Sequence, residues 1–391
     1  MRDDILSRKT AAIPPSGIRR FFDLVSERSD VISLGVGEPD FDTPWHIREA
    51  GIRSLERGYT FYTSNAGLAE LRREISVYLE KRTGCTYDPK TEILVTVGGS
   101  EAIDAALRAI INEGDEVIIP QPSYVSYEPC AVLAGAKPVI VELREQDRFK
   151  LTPEILLPAM SEKTKALILP FPNNPTGSVM RREELEKIAK IAVERDIVVI
   201  SDEIYSELTY GGEHFSIVSL PGMKERTVLI NGFSKSFAMT GWRLGYAAAP
   251  HFILEQMVKI HQFAIMCAPT GSQYAAIDAL KNGEADVEKM RDAYDKRRLY
   301  LLGAFKKMDI DCFAPEGAFY VFPSIKKFGL TSEQFAFGLL DDQKLAVVPG
   351  TAFGACGEGF LRISYAYSLD DLKEAMKRLA AYIKKLTQGE K

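Results

Sequence analysis

Residues 93–120 read ILVTVGGSEAIDAALRAIINEGDEVIIP, and the architecture of the chain follows from them. An apolar, β-branched run over 93–97 is broken by Gly98-Gly-Ser100. Residues 101–111 then carry apolar side chains at helical spacing, and a polar turn leads to a second apolar run over 116–120. A short apolar run, a 3.6-residue period and another short run is the pattern of strand, helix and strand. Strands too apolar to have a wetted face, joined through helices, form parallel sheets covered on both sides. The pattern continues outward: 123–133 reads as a helix, and 137–142, 166–170, 197–201, 227–230 and 244–250 read as strands, seven with the first two. This alternation predicts a mainly parallel, doubly wound α/β sheet, whose ligands lie beyond the carboxyl ends of its strands.

A chain of 391 residues is long for a single hydrophobic core, so two domains are expected. The sheet and its helices define a large domain over 46–285, including helices over 46–57 and 68–82 and a long helical stretch from 251 to about 280. A smaller α/β domain is expected from 1–45 together with 286–391. Its elements are a helix over 18–25, a short strand within 31–37, and a long charged helix over 284–307 that bridges the two domains. Strands near 310, 319–322, 345–348 and 360–364 and helices over 332–340 and 369–386 complete it.

Composition removes several functional classes. Hydrophobic residues make up 46% and charged residues 26%, as in ordinary globular proteins. The net charge of -5 offers no case for nucleic acid, which calls for clustered Lys and Arg. The start, Met1-Arg-Asp-Asp, lacks the apolar core of a signal peptide and no run is long enough to span a membrane, so a soluble cytoplasmic protein is expected. The five cysteines are scattered without a C-x-x-C pair and the four histidines are isolated, which argues against a metal site or a His-based triad. Neither a dinucleotide nor a nucleoside-triphosphate loop motif is present.

Chemistry therefore has to come from individual residues at the strand ends. Lys235 lies in sequence among Phe233, Phe237, Met239 and Trp242; a lysine desolvated by such neighbours loses its charge near neutrality and becomes a nucleophile for carbonyls. Arg243 keeps its charge and offers a fork for phosphate or carboxylate, so the pair suggests an aldehyde with an anionic tail. Gly98-Gly-Ser100 can cap a helix or hold a phosphate on free N–H groups and the helix dipole. Asp202, at the mouth of the 197–201 strand, is either an N-cap or a buried carboxylate in need of a partner. Asn173-Asn-Pro-Thr-Gly177 has turn chemistry, Gly37 permits a close backbone approach, and Arg362 among apolar neighbours needs either a structural carboxylate or an anionic ligand.

The segment S-K-S-F-A-M-T-G-W-R-L-G-Y, ending at Tyr246, resembles the cofactor-lysine loop of the class I and II aminotransferases, pyridoxal-phosphate enzymes of fold type I. The resemblance implies that Lys235 forms the Schiff base and that Arg243, with Gly99 and Ser100, binds the phosphate. Asn174 in N-N-P-T-G matches the residue bonding the ring oxygen. In S-D-E-I-Y, Asp202 matches the partner of the pyridine nitrogen and Tyr205 that of the phenolic oxygen. Tyr124 in Pro122-Ser-Tyr124 matches the ring stacked on the cofactor, Gly37 the residue over the substrate, and Arg362 the ligand of the substrate α-carboxylate. Tyr62, in a Y-x-x-x-x-G-x-x-x-L-R pattern with Gly67, Leu71 and Arg72, matches a tyrosine that reaches the partner subunit's phosphate, which implies a homodimer with shared sites. Many relatives carry a serine three residues before the lysine; Gly232 stands there, which leaves Ser234 as the candidate phosphate ligand.

The whole sequence is most similar to archaeal aromatic and aspartate aminotransferases. That implies a ping-pong transfer from an L-amino acid to 2-oxoglutarate, with Arg19, Arg20 and Arg108 as candidates for a side-chain carboxylate. The alternatives are a lyase or decarboxylase of the same fold and a cofactor-sensing regulatory module.

Overall fold

The computed structural model describes residues 5–15 and 30–388. The helix expected over 18–25, and with it Arg19 and Arg20, lies outside the described residues. A two-residue strand, β1 (Ile32–Ser33), precedes helices α1 (Trp45–Glu56) and α2 (Ala69–Thr83). Then come β2 (Ile93–Thr96), α3 (Gly99–Ile110), β3 (Glu116–Gln121), α4 (Tyr127–Ala134) and β4 (Lys137–Glu142). The alternation continues through β5 (Thr164–Leu169), α5 (Arg182–Glu194), β6 (Val198–Asp202), β7 (Thr227–Gly232) and β8 (Gly245–Ala248). Strands β2 to β8 form one seven-stranded sheet in the order β2-β8-β7-β6-β5-β3-β4. Every pairing from β4 across to β7 is parallel, while β8 runs antiparallel to both neighbours, β7 and β2.

Burial explains why these segments are strands. All residues of β2, β7 and β8 are buried, whereas β4 at the sheet edge exposes Lys137 and Glu142, charges that discourage pairing with another chain. Helix α3 buries Ala102, Ile103, Ala105, Ala106 and Leu107, and its alanines let it lie close over β6, β7 and β8. On the other face, Leu185 and Ile188 of α5 pack with Leu167, Leu169 and Val199. Each large aliphatic side chain buried this way contributes about 1.5–3 kcal/mol, which holds the strand ends, and the residues just beyond them, in fixed relation.

The remainder comprises α6 (His251–Ala264), α7 (Thr270–Asn282), α8 (Glu284–Lys307), β9 (Tyr320–Val321), α9 (Ser332–Gln343), β10 (Leu345–Ala346), β11 (Val348–Pro349), β12 (Leu361–Ser364) and α10 (Leu369–Gln388). β1 pairs in parallel with β10 through Ile32 and Leu345, and β11-β12-β9 form an antiparallel sheet.

Four expectations need correction. The helical stretch from 251 to 280 is two helices, because Met266 takes a φ of 73° and Pro269 stands just before α7. The strand near 310 is only a single bridge, Cys312 to Pro323, since Asp309 turns the chain at a φ of 54°. The run over 345–348 divides between two sheets at Val347. The helix expected from 123 begins at Tyr127, the Ser123 amide being given instead to the Phe353 carbonyl. Among the described residues no helix is long and apolar enough to cross a membrane.

Candidate active site

A cavity of about 360 Å³ opens where the parallel strands end, as the topology requires. Gly37, Gly99, Ser100, Tyr124, Asn174, Asp202, Tyr205, Ser234, Lys235, Arg243 and Arg362 all line it. Residues separated by up to 325 positions in sequence thus meet because β6, β7, β12 and the start of α3 converge there.

One end of the cavity is built for an anion. Gly98 introduces α3 at a φ of 83°, and no side chain caps the helix, so its first N–H groups are available. The backbone here is tightly apposed: a Cβ on Gly245 would lie 2.7 Å from Gly99 N, and one on Gly98 would lie 2.9 Å from Arg243 Nη2. Only glycine fits at both positions, and the guanidinium is brought to the helix start. Arg243 Nη1 donates to the Thr240 carbonyl at 3.0 Å, and no carboxylate pairs with Arg243 among the described residues. Ser100 Oγ lies 3.4 Å from the Tyr124 hydroxyl, and Ser234 is buried nearby in the sequence of the lysine loop.

At the centre, Lys235 Nζ donates to the Gly37 carbonyl at 2.6 Å. Burial brings its pKa down to about 8; Glu38 opposes that shift, while Arg362 and Arg243 reinforce it. Phe233, Phe237 and Met239 are buried in the core of the lysine loop, and the ring of Phe319, which the sequence did not point to, faces Nζ at 5.8 Å.

Asp202, at the end of β6, is buried and accepts hydrogen bonds from the Tyr127 hydroxyl at 2.7 Å and the Ile204 amide at 3.2 Å. Desolvation pushes its pKa up, the bonds from Tyr127 and Ile204 pull it down, and Glu203 adds an upward push. No cation pairs with it among the described residues. Arg362 is in the mirror situation. Only 3% exposed, it donates from Nη1 to Asn174 Oδ1 at 3.1 Å and from Nη2 to the Gly35 carbonyl, and its Nε has no partner among the described residues. Tyr320 and Phe353 flank the guanidinium at 4.6 and 4.7 Å. Among the described residues no carboxylate forms the structural salt bridge that would have explained Arg362.

Tyr62 is not in the cavity. It is 80% exposed, beside Phe61, also 80% exposed. Arg108 is paired with Asp104 on α3 at 2.8 Å and does not line the cavity. Sequence reading missed Glu38, Tyr127 and Tyr320, all of which line it. Tyr127 had a usable signal, one helical turn after Tyr124, whereas Tyr320 sits in an apolar run that reads only as a strand. A larger cavity of about 650 Å³ lies between α2, α8 and the 203–214 loop. Its Arg82 is already paired with Glu207 and Glu284 at 2.8 and 3.3 Å. No cluster suited to a metal ion occurs among the described residues.

The sequence pattern of the family described as aminotransferase class I and II matches residues 29–379. The chain belongs to this family. The aminotransferase is 48% identical over 387 residues to an aspartate aminotransferase of Pyrococcus abyssi, covering 98% of this chain and 100% of that protein. It is 45% identical to aromatic-amino-acid aminotransferase 2 of Thermococcus litoralis, covering 97% and 98%. The crystal structure of an aromatic aminotransferase from Pyrococcus horikoshii superposes with a TM-score of 0.90 at 48% identity, covering 93% and 99%. The seven-stranded sheet is thus that of the fold type I enzymes.

Members of the family depend on pyridoxal phosphate, and the donor set of this aminotransferase suits that group. A helix N-terminus with Arg243 matches a phosphate, the uncompensated Asp202 a pyridine nitrogen that carries a proton, and the Lys235 amine an aldehyde.

Proposed function

We propose that the aminotransferase holds pyridoxal phosphate on Lys235 and moves an amino group from an aromatic or aspartate-like L-amino acid to 2-oxoglutarate in a ping-pong cycle. One observation carries the reading: among the described residues a buried guanidinium without an anion and a buried carboxylate without a cation share one cavity, which a desolvated lysine amine also lines. Unpaired buried charges are expensive, and an amino acid carboxylate together with a protonated ring would satisfy both. The named activities of the P. abyssi and T. litoralis relatives support the choice of donor class.

The bound cofactor supplies an electron sink for the bonds at the substrate Cα. In this reading Asp202 holds a proton on the ring nitrogen, its own pKa restrained by the Tyr127 hydrogen bond. Tyr205 and Asn174 donate to the ring oxygen, and Tyr124 covers the ring face. Arg243, Ser100, Ser234 and the Gly99 amide hold the phosphate. Arg362 grips the α-carboxylate with the donors left free by Asn174 and Gly35, and Gly37 lies over the substrate. The Lys235 amine, neutral for a substantial fraction near its pKa of about 8, accepts the Cα proton, a transfer favoured when the base titrates near the working pH.

We further assign residues 46–285 to a large domain and 1–45 with 286–391 to a small one, and place Tyr62 at the partner subunit's phosphate in a homodimer. The five free thiols suit a reducing compartment, the cytoplasm. The test is a screen of amino donors with 2-oxoglutarate, following oxo acid and glutamate together, with borohydride reduction and peptide mapping for Lys235. Release of ammonia or carbon dioxide without amino transfer, or a label on another lysine, would overturn the proposal.

A further inference from the structure

Three of the residues assigned above, Gly37, Tyr205 and Arg362, touch one side chain that no motif singled out, Tyr320 of β9. It is 1% exposed. Its hydroxyl lies 2.8 Å from the Tyr205 hydroxyl, and its ring faces the Arg362 guanidinium at 4.6 Å. A Cβ on Gly37 would overlap that same hydroxyl. We propose that Tyr320 is a positioning residue for the transfer reaction, its hydroxyl orienting and polarising the Tyr205 hydroxyl while its ring holds the Arg362 guanidinium in place for the substrate carboxylate. The proposal rests on the reading of the cavity as a pyridoxal-phosphate site.

The direction of the hydrogen bonds follows from counting protons. Each phenol has one proton to give. If Tyr205 gives its proton to the ring oxygen of the bound group, Tyr320 must donate to Tyr205, and a hydroxyl that accepts a hydrogen bond becomes a stronger donor itself. The Tyr205 ring is held for this by edge contacts with Phe319 and Tyr320 at 5.4 and 5.9 Å. The groups that act electrostatically on the two hydroxyls are Asp202, Arg362 and Tyr124, and those acting on Lys235 are Glu38, Arg362 and Arg243. Apart from Tyr205, no side chain hydrogen-bonds the Tyr320 hydroxyl among the described residues, so its effect has a single route.

The test reads the visible absorbance of the Lys235-bound cofactor against pH. A proton is shared there between the ring oxygen and the lysine nitrogen, so weaker donation to the oxygen makes it more basic and retains the proton to higher pH. Tyr320→Phe should raise the midpoint by roughly half a unit to one unit and leave the dissociation constant of a non-reacting carboxylate, maleate, nearly unchanged. Tyr320→Leu, which also removes the ring, should in addition weaken maleate roughly five- to tenfold. In a Tyr205→Phe background, Tyr320→Phe should add no further shift. Gly37→Ala drives a methyl group into the same hydroxyl and provides a second route: it should raise the midpoint when Tyr320 is present and have little effect once Tyr320→Phe is in place. An unchanged or lowered midpoint in loaded Tyr320→Phe, or an equal shift without the Tyr205 hydroxyl, would overturn the proposal while leaving the function intact. A wild-type protein with no reducible chromophore on Lys235 would instead overturn the function.

Discussion

Replacing Arg362 by lysine tests the substrate side of the site with little change in charge. In the structure two of the guanidinium's donor groups are committed, Nη1 to Asn174 and Nη2 to the Gly35 carbonyl, and Nε is unpartnered among the described residues. The remaining N–H bonds of the fork are those available to a carboxylate. An ammonium keeps one such bond and loses the parallel second one. A hydrogen bond to a charged group is worth about 1.5–3 kcal/mol, and every 1.4 kcal/mol is tenfold in affinity. Arg362→Lys should therefore weaken every amino acid and oxo acid by roughly ten- to a hundredfold, with kcat much less affected, because the carboxylate is held equally in ground and transition states. Steady-state kinetics with several donors, together with equilibrium binding of maleate, measure it. A loss confined to one donor would move Arg362 from α-carboxylate recognition to side-chain selection, and unchanged binding would remove it from the substrate site.

Asp202→Asn should lower kcat by about 3 kcal/mol in barrier, the scale of a lost preorganised electrostatic contact, with amino acid affinity nearly preserved; near-normal turnover of the loaded variant would count against its role. Because Glu38 raises the Lys235 pKa, Glu38→Gln should move the midpoint for covalent cofactor capture by the free protein below about 8; stopped-flow capture rates against pH decide, and an upward shift contradicts the assignment. His46 of α1 is bracketed by Asp278 of α7 on Nδ1 and Asp286 of α8 at 3.0 Å on Nε2; burial alone would lower its pKa, but the bonds to Asp278 and Asp286 raise it above 6.5. A raised folded pKa contributes stability that is fully present below the unfolded value and lost as pH rises through the folded one. His46→Asn should therefore lower Tm at pH 5.5 by an amount equivalent to about 1 kcal/mol or less, given the partial exposure, and the difference should vanish in mildly alkaline buffer. For Tyr62, a mixed dimer of a Lys235→Ala chain and a Tyr62-disabled chain should regain about one working site per dimer; no recovery, with dimers verified, would mean that Tyr62 serves its own chain.

The strand–helix–strand rhythm, the seven sheet strands and the positions of Asp202 and Lys235 at or just beyond their ends were legible in the sequence, as was Arg362 within an apolar strand. Hydrophobic period and strand length are local properties, and a polar residue closing an apolar run marks the rim of a parallel sheet. Chemical type was legible too, since a lysine and an arginine keep their reactive groups wherever the chain puts them. What only the tertiary structure decided is pairing. Whether Arg362 faces a carboxylate or awaits one, and whether Asp202 has a cation, depends on which distant segments meet there, and neither finds a charged partner among the described residues. The same holds for what surrounds Lys235: Phe319, more than eighty residues on in sequence, lies beside Nζ. Tyr320 was invisible because an apolar run does not say which of its side chains turns inward toward another element, and its partners Gly37, Tyr205 and Arg362 come from segments that only the fold assembles.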